Sequence, residues 1–176
     1  MRKITALKPV DKVLAVIGAH RIRAAEPQDS SNISALEGRI TGQPKPDYWR
    51  DMLGSYASGL TGGGSDRYFL LAEDDAGKLL GFVLGEVRAW EFGSEPAGWV
   101  FAINVDPEIR QAGIGTVLFD AVCQRFRQAG VRSVRTMVDR RDHLILSFFR
   151  SQGLMAGPSI ELEMELPMSR EARGAI

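Results

Sequence analysis

Residues 100–105, Val-Phe-Ala-Ile-Asn-Val, form an apolar run that stops at Pro107, and two glycines, Gly113 and Gly115, then open a helical pattern. The run is rich in β-formers and reads as a buried strand. Proline ends it because a ladder needs the N–H that proline lacks. Beyond the glycines, Ile114, Val117, Leu118, Ala121, Val122 and Phe126 recur at three- and four-residue spacing, and Gly130 closes the helix. Glycines at a helix start allow a tight turn and leave the first N–H groups uncovered at the positive end of the dipole. A phosphate or pyrophosphate suits that place.

Spacing narrows the choice. A dinucleotide fingerprint needs a third glycine three residues after the second, and none follows Gly115 at that spacing. Nothing in the chain supplies the G-x-x-x-x-G-K-[ST] of a P-loop. With 176 residues the chain is sized for one domain, and 22 basic residues balance 22 acidic ones, so no global field draws it to nucleic acid or an anionic membrane. One cysteine, Cys123, excludes an intrachain disulfide and suits a reducing compartment. A cytoplasmic location is therefore expected. The basic N-terminus does not read as a signal peptide, and no stretch has the length to span a bilayer.

In chain order, residues 1–20 read as an N-terminal extension, with Val10, Val13, Leu14 and Ile17 forming an amphipathic helical turn or two closed by Gly18. A domain is expected over 21–167, followed by a tail at 168–176. Within the domain, residues 21–25 read as a strand, and 27–39 and 48–58 as helices. Residues 67–73 and 78–88 read as a hairpin turning at Asp74-Asp75-Ala76-Gly77. The glycines of its second arm mark a bulge or a close backbone approach. After the glycine-opened helix come a strand at 133–138, a helix at 142–151 and a last strand at 160–166. In that last strand Ile160, Leu162, Met164 and Leu166 alternate with three glutamates. The order β-α-α-β-β-β-α-β-α-β implies one sheet between helices, an α/β or α+β class.

Arg110-Gln111-Ala112-Gly113-Ile114-Gly115, after Val105-x-Pro107, resembles the acyl-CoA pyrophosphate loop of the GNAT superfamily of N-acetyltransferases. A second stretch, Asp142 to Leu154 with Phe148, Phe149 and Gly153, is similar to the later element of that family. The resemblance covers about residues 21–166. It implies a single mixed, mostly antiparallel sheet with helices on both faces, the acyl-CoA N-acyltransferase-like fold. It also implies acetyl-CoA, or another short-chain acyl-CoA, as co-substrate, with no metal.

Carried over residue by residue, Ile103, Asn104 and Val105 line a pantetheine slot, and a backbone N–H near Ile103 faces the thioester oxygen. The pyrophosphate lies over the N–H groups of Gln111, Ala112, Gly113, Ile114, Gly115 and Thr116, while Arg110 adds charge or braces the loop. Two positions depart from the family. Phe149 stands where a tyrosine commonly protonates the departing thiolate, with Tyr68 or Ser147 as substitutes, and Asp142 stands where asparagine is common, beside the pantetheine or nucleotide.

The acceptor is expected to be a small-molecule or protein primary amine, attacked directly in a sequential mechanism, without nucleic acid or membrane. A homodimer is expected. An amine must shed a proton, and Glu86, flanked by apolar residues, is either its base or a solvent-facing strand residue; Glu91 and Glu95 are alternatives. Asn104 is a polar residue in an apolar strand, a site residue or a bulge filler. His20 and His143 lack metal-ligand companions, and Cys123 reads as a core thiol. Trp49, Tyr56, Trp90, Phe92 and Trp99 divide between an acceptor pocket and the core. The competing class is a non-catalytic acyl-CoA-binding module.

Overall fold

The computed structural model of the chain describes residues 13–17, 20–57, 66–89 and 93–165. Its strands are β1 (Val13–Ile17), β2 (His20–Ala24), β3 (Arg67–Glu73), β4 (Leu79–Arg88), β5 (Ala97–Val105) and β6 (Val134–Thr136). Its helices are α1 (Ser30–Thr41), α2 (Pro46–Ala57), α3 (Ile114–Gln128) and α4 (His143–Ser151). The strands form one sheet in sequence order, antiparallel throughout except for the parallel pair β5–β6. The mixed, mostly antiparallel sheet is the one expected. Among the described residues no helix is long and apolar enough to cross a membrane.

Helices cover both faces because β3 and β4 are apolar on both. Leu70, Ala72, Leu80 and Val83 pack with Ile114, Leu118, Val122 and Phe126 of α3 and with Phe149 of α4. Their neighbours Phe69, Leu71, Phe82 and Leu84 point the other way, onto Ile33 and Leu36 of α1 and Trp49 and Leu53 of α2. Strands buried on both faces lose the polar alternation of a half-wet strand and read as continuous apolar runs. The close approach expected at the β4 glycines is seen, and it extends to β5. A Cβ on Gly85 would lie 2.8 Å from the Phe126 ring, and one on Gly98 only 2.4 Å away. The glycines leave a shallow trough in the sheet, and Phe126 of α3 lies in it.

Three expectations change. Residues 13–17 are not a helical turn: they form β1, paired antiparallel with β2 through Ala15↔Ile22 and Ile17↔His20. Their β-branched side chains favour a strand, and the edge of β2 supplies the backbone partners. The other members of that expected turn, Val10 and Gly18, lie outside the described residues. Residues 160–165 are not a strand either, and Ile160, Leu162 and Met164 are 76%, 86% and 77% exposed. Their alternation is a strand pattern, but among the described residues no strand pairs with it. Leu166 falls outside the described residues. The strand expected at 133–138 is only Val134–Thr136, because beyond Thr136 the chain turns away from β5.

Candidate active site

Where β5 and β6 part, a gap opens. They pair at Gly98↔Val134, Trp99↔Arg135 and Val100↔Thr136, and no further. On the other side of β5 the register with β4 slips: Leu84 faces Ala102 while Gly85 faces Val100, leaving Phe101 as the extra residue of a bulge. A bulge bends its strand and increases the local twist, which carries 101–105 away from the continuation of β6. The Thr136 hydroxyl donates to the Val100 carbonyl at 2.9 Å, closing the apex of the wedge.

The resulting slot has a volume of about 450 Å³, within the range of small-molecule sites. Phe101 to Val105 form one wall, Thr136 to Asp139 the opposite one, and Gly113, Gly115 and Thr116 lie at its open end. Ile40 of α1, Asp142, and Leu144, Ile145, Phe148 and Phe149 of α4 complete the lining.

The open end follows from local chemistry. Asp106 is 2% exposed and caps the short 3₁₀ turn Pro107–Ala112, its Oδ1 accepting from the Glu108 N–H at 3.1 Å. Its Oδ2 takes a 2.9 Å hydrogen bond from Arg39 of α1. Burial alone would raise the Asp106 pKa; the Glu108 N–H and the Arg39 guanidinium outweigh it and hold the carboxyl below its usual range. Gly113 then adopts φ +77°, which glycine reaches without a Cβ penalty, and α3 begins with no side-chain cap and no acidic residue in its first turn. Those N–H groups stand at the slot's mouth. Gly115 is also tight on its other side: a Cβ there would come within 3.1 Å of Phe148.

Of the residues read from the sequence as cofactor contacts, Ile103, Val105, Gly113, Gly115, Thr116, Asp142 and Phe149 line the slot. Ile114 is fully buried in the core and brings only its backbone near, while Ala112 is exposed on the loop outside the lining. The backbones of Arg110 and Gln111 belong to the 3₁₀ turn; the roles expected of their side chains fall outside the described residues. Asp142 has a structural task as well, capping α4 by accepting from the Ile145 N–H at 3.0 Å. Phe149 is buried, its ring 5.8 Å from Phe119 and 5.2 Å from Phe148. Neither Tyr68 nor Ser147 belongs to the lining. Tyr68 packs on Phe126, and burial together with the Asp66 charge pushes its phenol up to about 12.

Glu86 lies off the slot, across from Trp99 on the α1–α2 side of the sheet. Both oxygens are engaged: Arg88 Nε donates to Oε1 at 2.9 Å, and Arg67 Nε lies 3.1 Å from Oε2 as an ion pair without hydrogen-bond alignment. Asn104 lines the slot and pairs with Phe82. Glu95 is exposed, and Glu91, Trp90 and Phe92 lie outside the described residues. His20 sits in β2 near the far edge of the sheet, and His143 is exposed at the start of α4. Cys123 is buried, and burial pushes its thiol up to about 11, so it stays protonated. Trp49 is core, its Nε1 donating to buried Glu37 at 2.6 Å. Among the described residues no group of His, Cys, Asp or Glu is placed to hold a metal ion.

The sequence reading missed Phe101, Thr136, Met137, Val138 and Leu144 as slot residues. One signal could have found Thr136 and the residues after it: a strand, a helix and a second strand joined by short loops imply a parallel pair. Asp106 also had a signature, an aspartate directly before a proline at the start of a turn.

A splayed parallel strand pair leading to a glycine-opened helix defines an acyltransferase-like α/β protein. The model of the Acetyltransferase (GNAT) family matches residues 17–154, and the chain belongs to that family. It is similar to mycothiol acetyltransferases, 33% identical over 84 residues to that of Propionibacterium freudenreichii and 36% over 86 residues to that of Thermobispora bispora. Each match takes in 48% of this chain but only 26% and 29% of the relative's length, respectively. Among solved structures, the aminoglycoside N-acetyltransferase AAC(6')-Iy in complex with CoA superposes with a TM-score of 0.70 at 16% identity, covering 83% of this chain and 94% of that one. The ribosomal-protein-alanine N-acetyltransferase of Brucella melitensis biovar Abortus 2308 gives 0.67 at 20% identity, covering 84% and 100%.

Proposed function

We propose that the chain is an acetyl-CoA-dependent N-acetyltransferase that moves the acetyl group directly to a primary amine. The observation that carries this reading is the wedge between β5 and β6, which runs from a closed apex at Thr136 to the uncapped start of α3. An extended pantetheine arm suits the wedge, because parted strands offer backbone groups along their length. A diphosphate suits the α3 N-terminus, where amide hydrogens and dipole both favour an anion.

In this reading the backbone near Ile103 holds the thioester oxygen and stabilises it as it becomes negative. The amine nitrogen attacks the carbonyl carbon, the C–S bond breaks, and the electron pair leaves with sulfur. Thiols have a pKa near ~8.5, so the thiolate departs without a phenol and Phe149 is tolerated. Glu86 takes up the amine proton through water. Its oxygens already hold two arginines, so a proton arriving there displaces a contact and the contribution is modest. Buried, protonated Cys123 supports direct transfer over a covalent intermediate. A cytoplasmic homodimer completes the proposal. The second reading, a binding module without turnover, draws on the missing hydroxyl at Phe149.

A thiol-release assay with acetyl-CoA and a panel of amines tests this. Release with at least one amine, reduced several-fold in Glu86→Gln, supports the transferase. Tight acetyl-CoA binding with no release for any amine supports the module.

A further inference from the structure

The apex of the slot is flanked by guanidinium groups. Phe101, the bulged residue, is 43% exposed and forms part of the slot wall. The Arg88 guanidinium lies 4.5 Å from its ring centroid and 5.4 Å from that of Trp99. Arg135, the β6 residue beside Thr136, approaches Trp99 at 6.0 Å. Arg67 completes the group through its pair with Glu86.

Among the described residues, Glu86 is the carboxylate that pairs with Arg67 and Arg88, and the ion pairs do not extend to Arg135. Arg135 has no carboxylate partner among those residues, and its guanidinium lies over the Trp99 indole. Trp99 Nε1 is buried on the same strand without an acceptor. A guanidinium without a carboxylate and an indole N–H without an acceptor both call for an anion. The thioester carbon would lie toward this apex, the end of the slot furthest from α3, so an attacking amine arrives here.

Building on the acyl-transfer reading above, we infer that the acceptor is an amine that also carries a carboxylate a few bonds from its nitrogen, held by Arg135 and Arg88. Polycationic amines are disfavoured by the same charges. The planar fork of arginine pairs with both oxygens of a carboxylate, which a point-charge ammonium matches less well.

The test compares matched acceptors: amino acids, their carboxamides, and a polyamine such as spermidine, with acetyl-CoA saturating. The expected result is a kcat/KM at least ~10-fold higher for the carboxylates, the scale of one charged hydrogen bond. Arg135→Met should erase that preference by raising the acceptor KM, leaving the acetyl-CoA KM unchanged, and Arg135→Lys should restore part of it. Equal use of carboxamides, preference for spermidine, or an unchanged preference in Arg135→Met would overturn the inference. If no amine releases thiol, calorimetry on the CoA-loaded protein decides instead. Selective binding of the carboxylate keeps the inference while transfer falls, and equal or absent binding of the pair removes it.

Discussion

Gly98 has no room for a methyl group, since a Cβ there would meet the Phe126 ring at 2.4 Å. Gly98→Ala must move a buried aromatic or the strand beneath it, and overpacking of this kind costs roughly 1–3 kcal/mol. A lowered midpoint in thermal unfolding is the expected outcome; an unchanged midpoint would mean that α3 rides higher on the sheet than it does here. Charge acts on the same scale. Burial raises the pKa of Asp29, Glu73 and Asp106, but arginine contacts at Asp29 and Glu73, and the Glu108 N–H together with Arg39 at Asp106, outweigh it, so each folded pKa is depressed. Groups depressed in this way stabilise the fold fully above their unfolded pKa, about 4, and lose that contribution as pH falls through the lower folded values. Stability should therefore hold from neutral pH down to about 5 and fall below about 4. Asp106→Asn should flatten part of that fall, a difference visible in denaturant midpoints measured across the acid range.

At the scale of elements, the slot depends on where two strands stop pairing and on what seats α4 against it. Asp142 caps that helix, so Asp142→Ala should cost about 0.5–2 kcal/mol. Asn caps as well as Asp, so Asp142→Asn should be nearly neutral in chemical denaturation. The central strand, the glycine-opened turn and α3 were legible in the sequence because their signals are local. Pro107, Gly113 and the periodicity through Phe126 act within a few residues of one another. The hairpin at Asp74 was legible for the same reason: its carboxylate accepts from the Ala76 and Lys78 N–H groups, and Gly77 takes φ +81°. What was not legible depends on distant partners. Val13 to Ile17 fit a helical turn or a strand, and only the edge of β2 decides. Glu86 read as a candidate base, and its pairing with Arg67 depends on the register of the β3–β4 hairpin, which the turn alone does not show. The bulge at Phe101 has no signature in its own residues, because it exists only in the register with β4.

For the whole molecule, two features are unsatisfied together. Among the described residues β6 is the edge of the sheet, and residues 160–165 carry an alternating apolar face that stays exposed. Exposed edges and exposed alternating segments pair readily, which supports the proposed homodimer. Light scattering should report a dimer for the full chain and a monomer after truncation behind Ser159; a full chain that stays monomeric at every concentration would count against pairing.

The most direct measurement is a calorimetric titration of acetyl-CoA into the wild-type chain and into Gly115→Val, whose side chain would press on Phe148 at the mouth of the slot. One equivalent bound by the wild type, and affinity at least ~10-fold weaker in the variant, a loss of about 1.4 kcal/mol or more, is the expected result. No binding by the wild type, or equal binding by both, would contradict a thioester held between β5 and β6.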